Sequence, residues 1–357
     1  MVETGIVEIG SLTLESGVVL DQVHLAYEWM KRENAPTVLV CHALTGNHKV
    51  IGDETQPGWW NGLVGAGKSI DTNEFSIISF NVLGGCGGST GPVSINPQTN
   101  QPYQSGFPEI TIRDMVCAER QALSVLGIQR LHTIIGGSLG GMRVLEWGIM
   151  YAYDMDVLMP LAVTPSLSAY GIAFNCIGLH AIESDDGFAN GNYTDPTEVK
   201  GFETARMAGM VTYRSDHLFN GRFNRKESNS GGYEVESYLH HIGKKITADF
   251  DPNSYCTLLR ALNTHDIGRG RGGIKESVKH IKAKTVMLGF THDLIYPPET
   301  IRAFTHQLPN SSFCLINTTY GHDGFLTEYD KWGPFIRQFM EVAACRQSKS
   351  QYLASVQ

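Results

Sequence analysis

The chain has 357 residues, 42% of them hydrophobic and 18% charged, a balance that builds a packed core and argues against disorder. A formal net charge of −8 leaves no surplus of Lys and Arg for a large nucleic-acid surface, and no run of eighteen apolar residues offers a transmembrane helix. Met1 to Leu20 has neither a basic start nor a continuous apolar stretch, so no secretory leader is expected, and seven cysteines without a CxxC pair read as the reduced thiols of a cytoplasmic protein.

In chain order, Ser11 to Val19 and His24 to Trp29 read as antiparallel strands. Buried-strand patterns follow at Pro36 to Cys41, Phe75 to Phe80, Leu131 to Ile135, Val157 to Val163, Thr285 to Leu288 and Ser312 to Ile316. Ile112 to Leu126 and Met142 to Met150 carry apolar residues at helical spacing between them. Such alternation implies parallel βαβ units and a mostly parallel, doubly wound α/β sheet.

From about Ser166 to Gly273 the strand-like runs fade. Helical segments are expected around Ala169 to Ile182, Phe202 to Thr212, Val235 to His241 and Asn253 to Leu262. Asp185 to Asn192 and Asn224 to Gly232 read as loops. A helical block between two strands of one sheet predicts a lid over residues 166–279, inserted into a core made of residues 1–165 and 280–357.

Gly136-Gly-Ser-Leu-Gly140 sits between an expected strand and an expected helix. A sharp strand-to-helix turn lifts a serine hydroxyl above the sheet edge, and small residues two before and two after let the backbones pass. The motif alone is weak, since G-x-S-x-G arises by chance in long glycine-rich chains. Its context makes Ser138 the candidate nucleophile of an α/β-hydrolase fold.

That fold requires an acid and then a histidine downstream, after later strands. Asp293 in Gly289-Phe-Thr-His-Asp293 and His322 in Tyr320-Gly-His322 meet the order. His292 competes as base but precedes the acid; Asp323 and Asp266 compete as acids but lie outside the loop after Leu288. In the loop His42-Ala-Leu-Thr-Gly-Asn47, the Leu44 amide would face an oxyanion beside the Leu139 amide, which follows the nucleophile.

Two other patterns lose to their context. Gly62-Leu-Val-Gly-Ala-Gly-Lys-Ser69 matches the phosphate-binding P-loop literally, yet Trp59-Trp60-Asn61 precedes it where a strand is needed and Ile70-Asp-Thr-Asn73 is a poor helix start. His240-His241 and His265-Asp266 lack recognised ligand spacing, so no metal site is expected.

Longer strings carry a more specific signal: Pro57-Gly-Trp-Trp60, Asn81-Val-Leu-Gly-Gly-Cys-Gly-Gly-Ser-Thr-Gly-Pro92, Ser94-Ile-Asn-Pro97, Gly136-Gly-Ser-Leu-Gly-Gly-Met142, Thr204-Ala-Arg206, Thr212-Tyr-Arg-Ser215 and Gly321-His-Asp323. Through these the chain resembles the homoserine O-acyltransferases of methionine biosynthesis over nearly its whole length. The resemblance implies a two-step transfer from an acyl-CoA, acetyl-CoA being favoured, to the hydroxyl of L-homoserine. It also implies no permanently bound cofactor and a homodimer built through the lid. Arg206 would bind the substrate carboxylate, with Arg214 as the alternative, and Asp323 the substrate amino group; an Arg fork suits a carboxylate and a carboxylate suits an ammonium.

The chain departs from the family at four positions: Leu139 replaces a usual Met, Arg143 a usual Gln, and Leu179 and Asp249 stand where Arg is common. These are expected to lie where donor or acceptor is sensed. Succinyl transfer, serine as acceptor, and hydrolysis by water on the same scaffold stay open. A non-catalytic scaffold is disfavoured by the intact serine, acid and histidine.

Overall fold

Period-two alternation writes two cores onto one sheet. In β3 (Thr37–Cys41), Leu39 and Cys41 join one apolar cluster while Val38 and Val40 join the other. In β5 (Leu131–Gly137), Ile134 and Ile135 divide the same way, and every residue of that strand is buried. Continuous apolar strands of this kind are stable only with both faces covered. The chain, described by a computed structural model over residues 2–229 and 231–341, provides that cover.

The strands are β1 (Val2–Thr13), β2 (Val19–Met30), β3, β4 (Ser76–Phe80), β5, β6 (Met155–Leu161), β7 (Lys284–Phe290) and β8 (Ser311–Ile316). They form one sheet in the order β1-β2-β4-β3-β5-β6-β7-β8. All pairs from β4 to β8 are parallel; β1 and β2 pair antiparallel at one edge. Helices α1 (Ile112–Val125) and α2 (Leu139–Met150) cross between strands. Thr111 caps α1 in a capping box with Asp114.

The expected strand at Ser11 to Val19 is corrected. Gly17, at φ 87°, closes a turn in which its N–H donates to the Leu14 carbonyl at 2.9 Å, so the segment is a hairpin joining two longer strands. The true first strand was hidden by Gly5 and Gly10: a Cβ on Gly5 would lie 2.7 Å from the Tyr27 hydroxyl, and the register slips around Gly10.

Between β6 and β7 the chain is helical: α3 (Ala169–Glu183), α4 (Lys200–Tyr213), α5 (Asp216–Arg222), α6 (Glu234–Asp249), α7 (Pro252–Asn263) and the single turn α8 (Ile274–Ser277). The sequence does not announce α5, a short helix capped by the Ser215 hydroxyl, and Asp186–Gly191, expected as open loop, is wound into a 3-10 turn. After β7 the chain forms α9 (Pro298–Thr305), and residues 329–341 are helical, burying Trp332, Ile336 and Met340.

Gly62 to Ser69 joins no strand to a helix. It lies in turns around a two-residue parallel pair, Val64–Gly65 with Ile70–Asp71. Its first glycine answers to packing, because a Cβ on Gly62 would sit 2.4 Å from the Tyr329 ring. Of the cysteines, Cys41, Cys86, Cys117, Cys176, Cys256 and Cys314 are free, and Cys345 lies outside the described residues. Among the described residues no helix is long and apolar enough to cross a membrane.

Candidate active site

Ser138 takes φ 57° and ψ −122°, a backbone conformation that side chains with a Cβ rarely adopt. The turn is locked on both sides. The Ser138 N–H donates to the Leu161 carbonyl at 3.0 Å, and Met142 N–H donates back to the Ser138 carbonyl at 2.9 Å. Glycine is obligatory around it: a Cβ on Gly136 would lie 2.6 Å, and one on Gly140 2.1 Å, from the Cys41 carbonyl oxygen. The serine thus stands at the N-terminus of α2, where the helix dipole is positive.

Because the strands are parallel, their carboxyl ends share one edge, and the loops there converge. Asp293 follows β7 and His322 lies in the 3-10 turn Gly321–Leu326 after β8. His322 Nδ1 is 2.8 Å from Asp293 Oδ2, both residues 4% exposed. The other carboxylate oxygen accepts the N–H groups of Ile295 and Tyr296, each at 2.9 Å. Burial works against an imidazolium at His322, but the Asp293 charge and hydrogen bond, with Asp323 beyond, outweigh it and hold its pKa above the ordinary histidine value.

One cavity beneath the helical insertion is lined by Ser138, His322, Leu44, Arg206 and Asp323 together. Leu44 follows β3, and neither its N–H nor that of Leu139 has an acceptor among the described residues. Arg206, on α4, is half-buried with its guanidinium 5.8 Å from the Tyr213 ring centroid. Asp323 pairs with Arg214, whose Nε is 3.1 Å from Asp323 Oδ2. Two of the competing groups have other partners: the His292 ring packs tilted against that of His217 with centroids 4.3 Å apart, and Asp266 Oδ1 accepts the Gly268 N–H at 2.7 Å.

Sequence reasoning missed three tyrosines. Tyr296 is 1% exposed, lines the same cavity as Ser138, and packs its ring 5.1 Å from His322. Tyr213 and Tyr255 form part of the same cavity wall. Burial raises the phenol pKa of all three, so each presents a neutral O–H. An aromatic in a sequence reads as core, and only proximity to Ser138 distinguishes these.

The expectation that the four departing positions sense substrate is corrected. None lines the cavity. Leu139 and Arg143 are fully buried, Leu179 packs against the core, and Asp249 is exposed at the end of α6. Among the described residues no group of three or more His, Cys, Asp or Glu side chains is placed to hold a metal ion.

The sheet order, the strained serine turn and the paired His322 and Asp293 define an α/β hydrolase, and a family model described as the α/β-hydrolase fold matches residues 36–329. A homoserine O-acetyltransferase of Symbiobacterium thermophilum is 41% identical over 351 residues, covering 92% of each chain. The crystal structure of a homoserine O-acetyltransferase from Staphylococcus aureus aligns with a TM-score of 0.82 and 33% identity over 95% of both chains. This chain belongs to the homoserine O-acetyltransferase family and is an acyltransferase. The crystal structure of esterase E22 is also similar, with a TM-score of 0.87 and 26% identity over 95% of this chain and 100% of that one.

Proposed function

We propose that the chain transfers an acetyl group from acetyl-CoA to the hydroxyl of L-homoserine through an acyl-Ser138 intermediate. The observation that carries this reading is the shared cavity, in which Ser138 meets a histidine already oriented by a buried carboxylate. His322 Nε2 takes the Ser138 proton as Oγ attacks the thioester carbon, while Asp293 holds the Nδ1–H tautomer and balances the imidazolium. The amides of Leu44 and Leu139 receive the negative charge of the tetrahedral intermediate. The C–S bond breaks, the CoA sulfur takes the proton from His322, and the acyl-enzyme remains.

In the second half the homoserine hydroxyl replaces CoA. His322 takes its proton, the oxygen attacks the acyl carbon, and Ser138 leaves with the proton restored. Arg206 offers a planar fork to the homoserine carboxylate. Asp323 faces the ammonium, and its existing partner Arg214 fixes its position. No permanently bound cofactor enters these steps; acetyl-CoA is a substrate.

The helices of residues 166–279 act as a lid that keeps water from the acyl-enzyme. The same lid offers the face for a homodimer: Tyr170, Ile172 and Ile177 of α3 and Val211 of α4 are exposed apolar residues. The six free thiols fit a reducing, cytoplasmic setting.

A second reading, hydrolysis with water as acceptor, is favoured by the likeness to esterase E22. One experiment separates the possibilities: mass spectrometry of products formed from acetyl-CoA and succinyl-CoA offered with homoserine, serine and water. O-Acetylhomoserine as the main product upholds the proposal; free acetate as the main product replaces it with the esterase reading.

A further inference from the structure

A charged cluster lies fully buried beneath the active-site edge. Arg143, on α2, is 0% exposed; it forms an ion pair with Glu119 of α1 and donates a second hydrogen bond from Nη2 to the carbonyl oxygen of His42. The other Glu119 oxygen accepts the Trp147 indole N–H at 2.8 Å. Burying such a pair costs several kcal/mol of desolvation per ion, and apolar residues of similar volume often serve stability as well. Stability alone therefore does not account for it.

Its placement does. Arg143 sits five positions after Ser138 on the helix whose first N–H belongs to Leu139, and its guanidinium grips the chain two residues before Leu44. One side chain thus spans the two backbone segments that carry the oxyanion donors. We infer that Arg143 is a positioning residue: anchored by Glu119, it holds the His42 carbonyl and with it the Leu44 amide at the distance from the Leu139 amide that the tetrahedral intermediate requires. The inference rests on the roles proposed above for those two amides.

The imidazole of His42 completes the brace. The Val82 N–H donates to Nε2 at 2.9 Å, so the proton of the neutral ring is on Nδ1, which donates to the Ala43 carbonyl at 2.7 Å. Burial, reinforced by the Arg143 charge, holds the ring neutral. Both turning points of the loop, the carbonyls of His42 and Ala43, are thereby tied to buried side chains. A donor fixed in advance contributes more to a transition state than one that must be ordered during the reaction.

The test uses two variants that are both uncharged at the site and differ only at residue 143. Arg143→Gln with Glu119→Gln keeps an N–H for the His42 carbonyl; Arg143→Met with Glu119→Gln removes it. In both, the amide oxygen introduced at position 119 still accepts from Trp147. Turnover is normalised to active sites titrated by the p-nitrophenolate burst from p-nitrophenyl acetate, so partial unfolding does not enter kcat. The Met variant should lose kcat by about 10- to 100-fold relative to the Gln variant, somewhat less than outright removal of an oxyanion donor, with KM for acetyl-CoA and homoserine within about threefold. Equal kcat in the two variants overturns the inference, as does a loss expressed in KM. Absence of both a burst and an acetyl adduct on Ser138 after mixing the unsubstituted enzyme with acetyl-CoA alone instead overturns the acyl-Ser138 reading, so the two failures are distinguishable.

Discussion

Asp293 holds His322 with one oxygen and is itself held by the other: Oδ2 is 2.8 Å from Nδ1, while Oδ1 accepts the Ile295 and Tyr296 amides. The pairing of those two amides fixes what Asp293→Asn must do. The asparagine oxygen takes the Oδ1 position, so its NH₂ faces His322 and forces Nδ1 to accept. The proton then sits on Nε2, pointing at Ser138, and the base is blocked. A fall in kcat of about 10³- to 10⁴-fold is expected with little change in melting temperature. Steady-state kinetics beside a thermal melt checks it, and a variant within tenfold of the parent would remove Asp293 from the mechanism.

Ser138→Ala should abolish turnover and the acetyl adduct seen by intact-protein mass spectrometry. Ser138→Gly should do the same yet be the more stable of the two. Positive φ at residue 138 strains alanine as much as serine, and glycine releases on the order of 1 kcal/mol or more. Denaturant titration decides: equal midpoints for the Ala and Gly variants would show that the turn stores no strain.

Arg206 and Arg214, the two arginines weighed for the substrate carboxylate, are bound differently. Arg214 already pairs with Asp323 and donates to the Tyr238 hydroxyl, whereas Arg206 rests over the Tyr213 ring at the cavity wall. Arg206→Ala should therefore raise the homoserine KM by roughly 10- to 100-fold, the loss of a charge-assisted pair, with the acetyl-CoA half-reaction preserved. An unchanged homoserine KM would return Arg206 to a structural role.

The strands that matter to chemistry were readable because parallel β-strands buried on both faces spell continuous apolar runs, and Leu131–Gly137 is one such run ending in the serine turn. Val2–Thr13 was not readable, because an edge strand with one exposed side and two glycines carries no such run. Ser138, Asp293 and His322 were legible through their order and their places after strands. Tyr296 was not, since its place against His322 in the cavity wall exists only once the chain is folded. Arg143 stands out in the sequence as a departure but not as a buried group: a charged residue in a helix reads as surface, and its burial depends on Glu119, far away in the chain.

The acid limb of the acylation rate belongs to His322, which must be neutral to accept the serine proton. Its pKa is held above the ordinary 6.5, so kcat/KM for acetyl-CoA should fall with a midpoint above pH 6.5 as pH is lowered. Asp323 contributes to that elevation, and Asp323→Asn also leaves the Arg214 cation unpaired nearby. Both effects move the limb to lower pH. A pH–rate profile that shifts upward in the variant, or does not move, would contradict this arrangement.

His265 ties the base of the helical insertion together. Its Nε2 is 3.0 Å from the Thr164 carbonyl, its own carbonyl accepts the Leu167 N–H at 3.0 Å, and Ile267 N–H reaches the Pro165 carbonyl at 3.0 Å. Entry and exit of the insertion are thus joined around one buried imidazole, 3% exposed. Burial, partly offset by the Thr164 hydrogen bond, lowers its pKa from 6.5 to about 4. Between those values the unfolded chain binds a proton that the folded one does not. The stability is therefore intact above pH 6.5 and drains as pH falls toward 4, below which both states are protonated. His265→Gln keeps an N–H for Thr164 and cannot titrate, so its melting temperature should fall less steeply between pH 7 and about 4.5 than that of the parent. Some slope remains, because burial also lowers the pKa of His42 and His48. Parallel curves for parent and variant would mean that His265 gains its proton without loosening the base of the insertion.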